Sequence, residues 1–155
     1  MYSNPRLRKH IHLSSEIYEQ NNAVFITICT QYRRPLFGVI HNDSLELSPY
    51  GQIVSDNINQ LINKYPGVQI THSVVMPNHI HLLISRVRTA RGKIISLSQL
   101  ISQFKGQCSK DCDIALWQRG YYDHVVRTED ERLKIIEYIQ NNPRKWSLDQ
   151  EYVGE

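Results

Sequence analysis

The chain has 155 residues, 41% of them hydrophobic, which is enough for one globular domain with a real core. No apolar run approaches the roughly 20 residues of a membrane span, and the polar, basic start lacks the apolar stretch of a secretory signal. The net charge is a mild +3, and three cysteines (Cys29, Cys108, Cys112) are too few and odd for a disulfide framework, so a reducing cytoplasm is the expected setting.

Residues 1–20, with Arg6, Arg8 and Lys9, read as a basic arm or short edge strand. Ala23 to Thr30 is β-branched and aromatic and reads as a central strand, left through the basic loop Gln31-Tyr32-Arg33-Arg34-Pro35. Ser44 to Leu47 suits a short strand. Ser48-Pro49 supplies an N-cap and a proline at the first helical position, and Val54, Ile58, Leu61, Ile62 and Tyr65 recur at helical spacing, so a helix is predicted from Pro49 to Lys64. Val68 to Met76 and Asn78 to Arg86 form two strands joined by the tight Met76-Pro77-Asn78 turn, an antiparallel hairpin.

From Arg86 to Lys110 the chain carries six basic residues and no acid, a stretch suited to a phosphate backbone. Within it Leu97, Leu100, Ile101, Phe104 and Cys108 mark one stripe of a second helix, capped by Ser96 or Ser98, with Lys105 off the stripe. Trp117 to Val126 is predicted as the last core strand. Thr128, with Glu131 three residues on, caps a third helix that runs to about Asn141 and stops at Pro143; residues 147–155 are a short tail. Strand, helix, two strands, helix, strand and a further helix give an α+β fold: a ferredoxin-like antiparallel sheet with helices on one face, the other face left for a ligand or the last helix.

His79 and His81 stand two apart in the strand Asn78 to Arg86, so both imidazoles point to one face and Ile80 to the other. Side by side on a rigid strand they can hold a metal ion. In the last helix Leu133, Ile136 and Ile139 define an apolar stripe, and Tyr138 falls far off it, with Ile135 and Asn142 on its side. Proline after Asn142 disfavours helical geometry there, so its carboxamide is expected to swing out at the helix end. A phenol ionises near pH 10 and is a weak nucleophile at neutral pH. A divalent ion held by two imidazoles and a carboxamide oxygen would offset charge on a phosphodiester while Tyr138 attacks phosphorus. The product would be a phosphotyrosine that a free hydroxyl can reverse, which is strand transfer.

Met76-Pro77-Asn78-His79-Ile80-His81-Leu82-Leu83 resembles the HUH motif of the single-tyrosine transposases, and Tyr138-Ile139-Gln140-Asn141-Asn142-Pro143 resembles the nucleophile helix of their REP-associated branch. Trp117-Gln118-Arg119-Gly120-Tyr121-Tyr122-Asp123-His124 and Arg127 are also similar to that branch, and the likeness runs from Ala23 to Trp146. The resemblance implies a single HUH transposase domain over residues 1–155, an endonuclease and strand transferase that cuts and rejoins single-stranded DNA beside short hairpins with Mg²⁺ or Mn²⁺. It makes Tyr138 the nucleophile of a 5′-phosphotyrosine and His79 and His81 metal ligands. Asn142 takes the third-ligand place, where the insertion-sequence branch more often has glutamine. Arg33, Arg34, Arg86, Arg88, Lys105 and Arg127 are candidate DNA contacts, Trp117, Tyr121 and Tyr122 candidate base stackers, and His124 a DNA contact or support for the site. Insertion-sequence relatives work as dimers with exchanged C-terminal helices and the REP-associated branch as monomers, so monomer and homodimer both stay open.

Two other readings compete. A replication-initiator or relaxase nuclease shares the chemistry but usually carries further domains. A non-catalytic hairpin or single-strand binding module on the same fold would not require His79, His81 and Tyr138 together. A histidine-triad hydrolase is disfavoured, because its third histidine would fall at Leu83.

Overall fold

The computed structural model describes residues 23–86 and 95–142. The expected N-terminal arm, the 147–155 tail, Arg88 and the side chain of Arg86 lie outside the described residues. The elements in order are β1 (Ala23–Cys29), β2 (Gly38–His41), β3 (Ser44–Leu47), α1 (Pro49–Lys64), β4 (Gln69–Met76), β5 (His79–Arg86), α2 (Leu97–Cys112), β6 (Tyr122–Val126) and α3 (Glu129–Asn141).

The four long strands form one sheet in the order β4-β5-β1-β6, and every neighbouring pair is antiparallel. With α1 between β1 and β4 and α2 between β5 and β6, this is the ferredoxin-like arrangement expected from the sequence. Strand alternation divides the sheet into two faces. Val24, Ile26, Ile28, Ile80, Leu82 and Ile84 point one way and join Val54, Ile58 and Leu61 of α1 and Leu97, Leu100, Ile101, Phe104 and Cys108 of α2 in the main core. Each such side chain, fully buried, contributes roughly 1.5–3 kcal/mol of transfer free energy. Phe25, Leu83 and Val126 point the other way and meet Ile135 and Ile139 of α3 in a second, smaller core. The face left open by the βαββαβ pattern is therefore the one that α3 covers.

Local chemistry explains the helix ends. Ser48 Oγ accepts from the Gly51 N–H at 3.0 Å and Pro49 occupies the first helical position. A Cβ at Gly51 would overlap the Phe37 carbonyl, so glycine there lets residues 36–38 lie across the start of α1. Thr128 Oγ1 accepts from the Glu131 N–H at 3.2 Å, and Glu129, Asp130 and Glu131 place negative charge on the positive end of α3.

The fold departs from the sequence reading at several points. β2 was not anticipated; it pairs with β3 across Asn42 and Asp43, both at positive φ, the backbone a two-residue hairpin turn requires. Ile62, assigned to the α1 stripe, is 49% exposed. The last sheet strand begins at Tyr122, not Trp117, because the carbonyls of Gln118 and Gly120 are held by Lys105 Nζ at 2.7 and 2.8 Å instead of joining a ladder. Trp117 makes one isolated bridge, to Thr30.

Candidate active site

β5 carries the centre of the site. The register pairs His79 with Cys29 of β1 and Met76 of β4, and His81 with Thr27 and Val74. Both imidazoles lie on the α3 side, as alternation requires, and both are buried, at 0% and 2% exposure. Their ring centroids are 4.6 Å apart and the rings stand nearly edge to face.

Each imidazole is fixed through Nδ1. His79 Nδ1 donates to Asn78 Oδ1 at 2.8 Å, and His81 Nδ1 lies 2.9 Å from Thr27 Oγ1. The amide oxygen can only accept, so His79 carries its proton on Nδ1 and its Nε2 is the nitrogen with a lone pair; the Thr27 hydroxyl holds the His81 ring by the same edge. Asn78, 1% exposed, also donates from Nδ2 to the Arg33 carbonyl at 3.3 Å. Outer partners of this kind govern metal affinity. Asn78→Ala and Thr27→Val are each expected to weaken Mn²⁺ binding about 10- to 100-fold by calorimetry, with the fold retained by circular dichroism. Unchanged affinity in both would show that neither bond orients a ligand.

Tyr138 reaches this pair from α3. Its ring centroid lies 5.3 Å from that of His81, and Phe25 stacks on His81 at 5.0 Å and meets Tyr138 edge-on at 6.2 Å, so the three rings form one cluster. The helix docks by a face turned from the expected Leu133, Ile136 and Ile139 stripe. Ile139 is buried as expected and Ile136 packs against the small core, but the contact shifts toward Ile135 and away from Leu133. Leu133, assigned to the core stripe, is 52% exposed, whereas Ile135 and Ile139 are buried at 0% and 3%. Residues 135, 138, 139 and 142 form a single i, i+3, i+4, i+7 stripe, so the tyrosine face is the core face.

Asn142, one turn beyond Tyr138, is 2% exposed, and its Oδ1 and Nδ2 have no hydrogen-bond partner among the described residues. A buried carboxamide left so is costly. Its backbone is helical (φ −59°, ψ −44°), contrary to the swung-out geometry expected before Pro143; burial of the side chain outweighs the steric preference. No cluster of three or more His, Cys, Asp and Glu exists among the described residues. His79 Nε2, His81 Nε2 and the Asn142 carboxamide are buried polar atoms that make no hydrogen bond among the described residues, and by donor type two imidazoles and an amide suit Mn²⁺ better than Mg²⁺.

The remaining predicted residues divide. His124 lies on the same face, opposite Phe25 in the β1–β6 register, and its Nε2 is 3.0 Å from Glu131 Oε1, joining β6 to the first turn of α3. Arg34 and Arg127 are exposed, and Arg33 is partly buried beside Asn78. Lys105 turns inward to the 118–120 loop and is spent inside the fold. Trp117 packs on Phe37 and Phe104, and Tyr121 bonds Ser98 Oγ at 3.1 Å, both on the helix side, so neither is free to stack on a base. Tyr122 is buried on the site face, across from Thr27. The three cysteines are free thiols, all buried. Among the described residues no helix is long and apolar enough to cross a membrane.

Burial pulls the Lys105 ammonium from its usual 10.5 down to about 8, against a smaller opposing pull from Cys29. Below pH 8 folded and unfolded chains both carry the charge, and the folded one bears its desolvation. Between about 8 and 10.5 the unfolded chain holds the extra proton, so stability rises with pH. Lys105→Met is expected to flatten that rise, measured as the urea midpoint from neutral pH to about 10.5.

Comparison with known proteins places the chain among transposases. A family model described as IS200-like transposase matches residues 18–142. An uncharacterised protein of Haemophilus influenzae is 33% identical over 94% of this chain and 93% of its own length. A second Haemophilus influenzae protein, provisionally named a REP-associated tyrosine transposase, is 28% identical over 46% of this chain and 47% of its own. Among solved structures, a REP-associated tyrosine transposase bound to a REP hairpin has a TM-score of 0.63 at 20% identity, covering 84% of this chain and 71% of that one. A Deinococcus radiodurans protein provisionally named a transposase has a TM-score of 0.50 at 18% identity, covering 77% of this chain and 88% of that one.

Proposed function

The chain belongs to the IS200-like transposase family, and on that premise we propose that it is a metal-dependent endonuclease and strand transferase acting on single-stranded DNA beside hairpins. The observation that carries the reading is the gathering of buried His79 and His81 with half-buried Tyr138, with 5.3 Å between the His81 and Tyr138 rings. A binding module has no use for a phenol packed against one of two paired imidazoles whose Nδ1 atoms are both engaged.

In the proposed reaction Tyr138 Oη attacks a backbone phosphorus. The new Oη–P bond forms as the P–O3′ bond breaks, and the phenolic proton is taken up by the departing 3′ oxygen. The chain keeps the 5′ phosphate as a phosphotyrosine, and a free 3′ hydroxyl reverses the exchange. A divalent ion at His79, His81 and Asn142 would supply charge stabilisation at the phosphate and orient it. Thr27 and Asn78 hold the two imidazoles in place, and Phe25 fixes the His81 ring against Tyr138. The relative bound to a REP hairpin supports a hairpin substrate. Both halves of the site come from one chain, so a monomer suffices for the chemistry.

The test mixes the protein with labelled hairpin DNA carrying single-stranded flanks, then runs a denaturing gel. A covalent protein–DNA band is expected with Mn²⁺ and none after EDTA treatment. Retarded DNA on a native gel with no covalent band under any divalent ion would favour the non-catalytic binding module.

A further inference from the structure

The turn after β1 presents the largest exposed aromatic surface among the described residues. Tyr32 is 81% exposed, and its backbone is left-handed (φ 57°, ψ 18°). Arg33, next to it, is left-handed too, at φ 55°. Two successive non-glycine residues in this region are rare and cost free energy in every L residue except through a compensating contact. Burial of the Tyr32 ring supplies none.

The turn is nevertheless firmly held. Thr30 N–H donates to the Asn78 carbonyl at 2.9 Å, and Thr30 Oγ1 donates to the Arg34 carbonyl at 2.8 Å. Gln31 N–H donates to the Leu116 carbonyl at 2.8 Å, and Asn78 Nδ2 to the Arg33 carbonyl. Asn78 is the residue that also receives the His79 Nδ1–H. The turn that lifts Tyr32 into solvent is thus clamped to the residue that orients a metal ligand. Beside Tyr32 the Arg34 side chain is exposed, and within the turn Gln31, Tyr32, Arg33 and Arg34 include no acid.

An outward ring on a clamped turn, two residues from an exposed arginine whose Nε donates to the Gln31 carbonyl at 3.5 Å, has the chemistry of a stacking platform for an unpaired base and its phosphate. We propose that Tyr32 is a nucleobase-stacking residue that receives an unpaired base of the DNA strand entering the site and that Asn78 keeps this platform in register with His79. The proposal rests on the single-stranded DNA reading above. The strain has a purpose in this account: because the turn is already held, little backbone freedom is lost on binding.

The experiment uses the full chain with Mn²⁺ and a DNA hairpin whose single-stranded flank carries 2-aminopurine, moved one position at a time. Wild type is expected to quench the probe at one flank position. Tyr32→Ala should lose that quench and bind about 5- to 100-fold more weakly, and Tyr32→Trp should restore both. Tyr32→Gly, which relieves the left-handed strain, should lose affinity equally while unfolding at the same or higher denaturant concentration. Mn²⁺ affinity should be unchanged in all three. Tyr32→Ala binding within about two-fold of wild type, with the quench kept, overturns the stacking role and leaves the proposed function standing. Wild type that binds no single-stranded flank at all overturns both.

Discussion

Tyr138→Phe is expected to abolish the covalent protein–DNA band while leaving the protein folded and its Mn²⁺ affinity intact. The substitution removes one oxygen atom and keeps the ring that meets His81 at 5.3 Å and Phe25 at 6.2 Å. Stability should therefore move by less than about 1 kcal/mol, because the packing surface is preserved. Deleting the nucleophile of a covalent mechanism costs on the order of 10⁴-fold or more in rate, so the band should fall below detection. If a band survives, the nucleophile lies elsewhere, and the structure ranks the replacements. Tyr122 is on the site face opposite Thr27, whereas the Tyr121 hydroxyl is bonded to Ser98 on the helix side. Burial also raises the Tyr121 phenol above its usual 10, which makes it a poorer nucleophile still. Tyr122→Phe would then be the decisive second variant.

Much of this site was legible in the sequence wherever a local rule decides the outcome. Period-two alternation places His79 and His81 together and Ile80 in the main core, and no tertiary detail can reverse it without breaking the strand. Ser48-Pro49 and Thr128–Glu131 fix helix starts by the chemistry of a few adjacent atoms. Thr27 and Asn78 were not identified, although they orient both imidazoles. Thr27 becomes a partner only through the β1–β5 register, and Asn78 only through a turn that bonds backward to Arg33. Neither residue type is unusual in a strand or a turn, so composition gives no signal. Lys105 was misread for a related reason: a charge off the apolar stripe of a helix reads as solvent-facing until a loop closes over it. The expected DNA contact is instead a clasp on the loop that leads to β6.

The helix that carries Tyr138 provides the sharpest case, and Ile139→Ala tests it with the largest stability effect expected here. Apolar residues at 133, 135, 136 and 139 spread over roughly 160° of the helix, so periodicity alone does not decide between a face centred near Ile136 and one turned toward Ile135. The structure selects the one in which Ile135 and Ile139 enter the small core of Phe25, Leu83 and Val126. That core has few members, and loss of one anchor cannot be absorbed by its neighbours. Truncating a side chain at 3% exposure should cost about 2–4 kcal/mol, the lost transfer energy plus the cavity left behind. Against a typical domain stability of about 5–15 kcal/mol, this should speed hydrogen exchange of the α3 amides well before the main core opens. Leu133→Ala, at 52% exposure, should change stability by less than about 0.5 kcal/mol. The two variants measured side by side by urea unfolding therefore read out which face of α3 meets the sheet. A larger cost at Leu133 than at Ile139 would mean that the helix is rotated in solution, and Tyr138 would then no longer lie against His81.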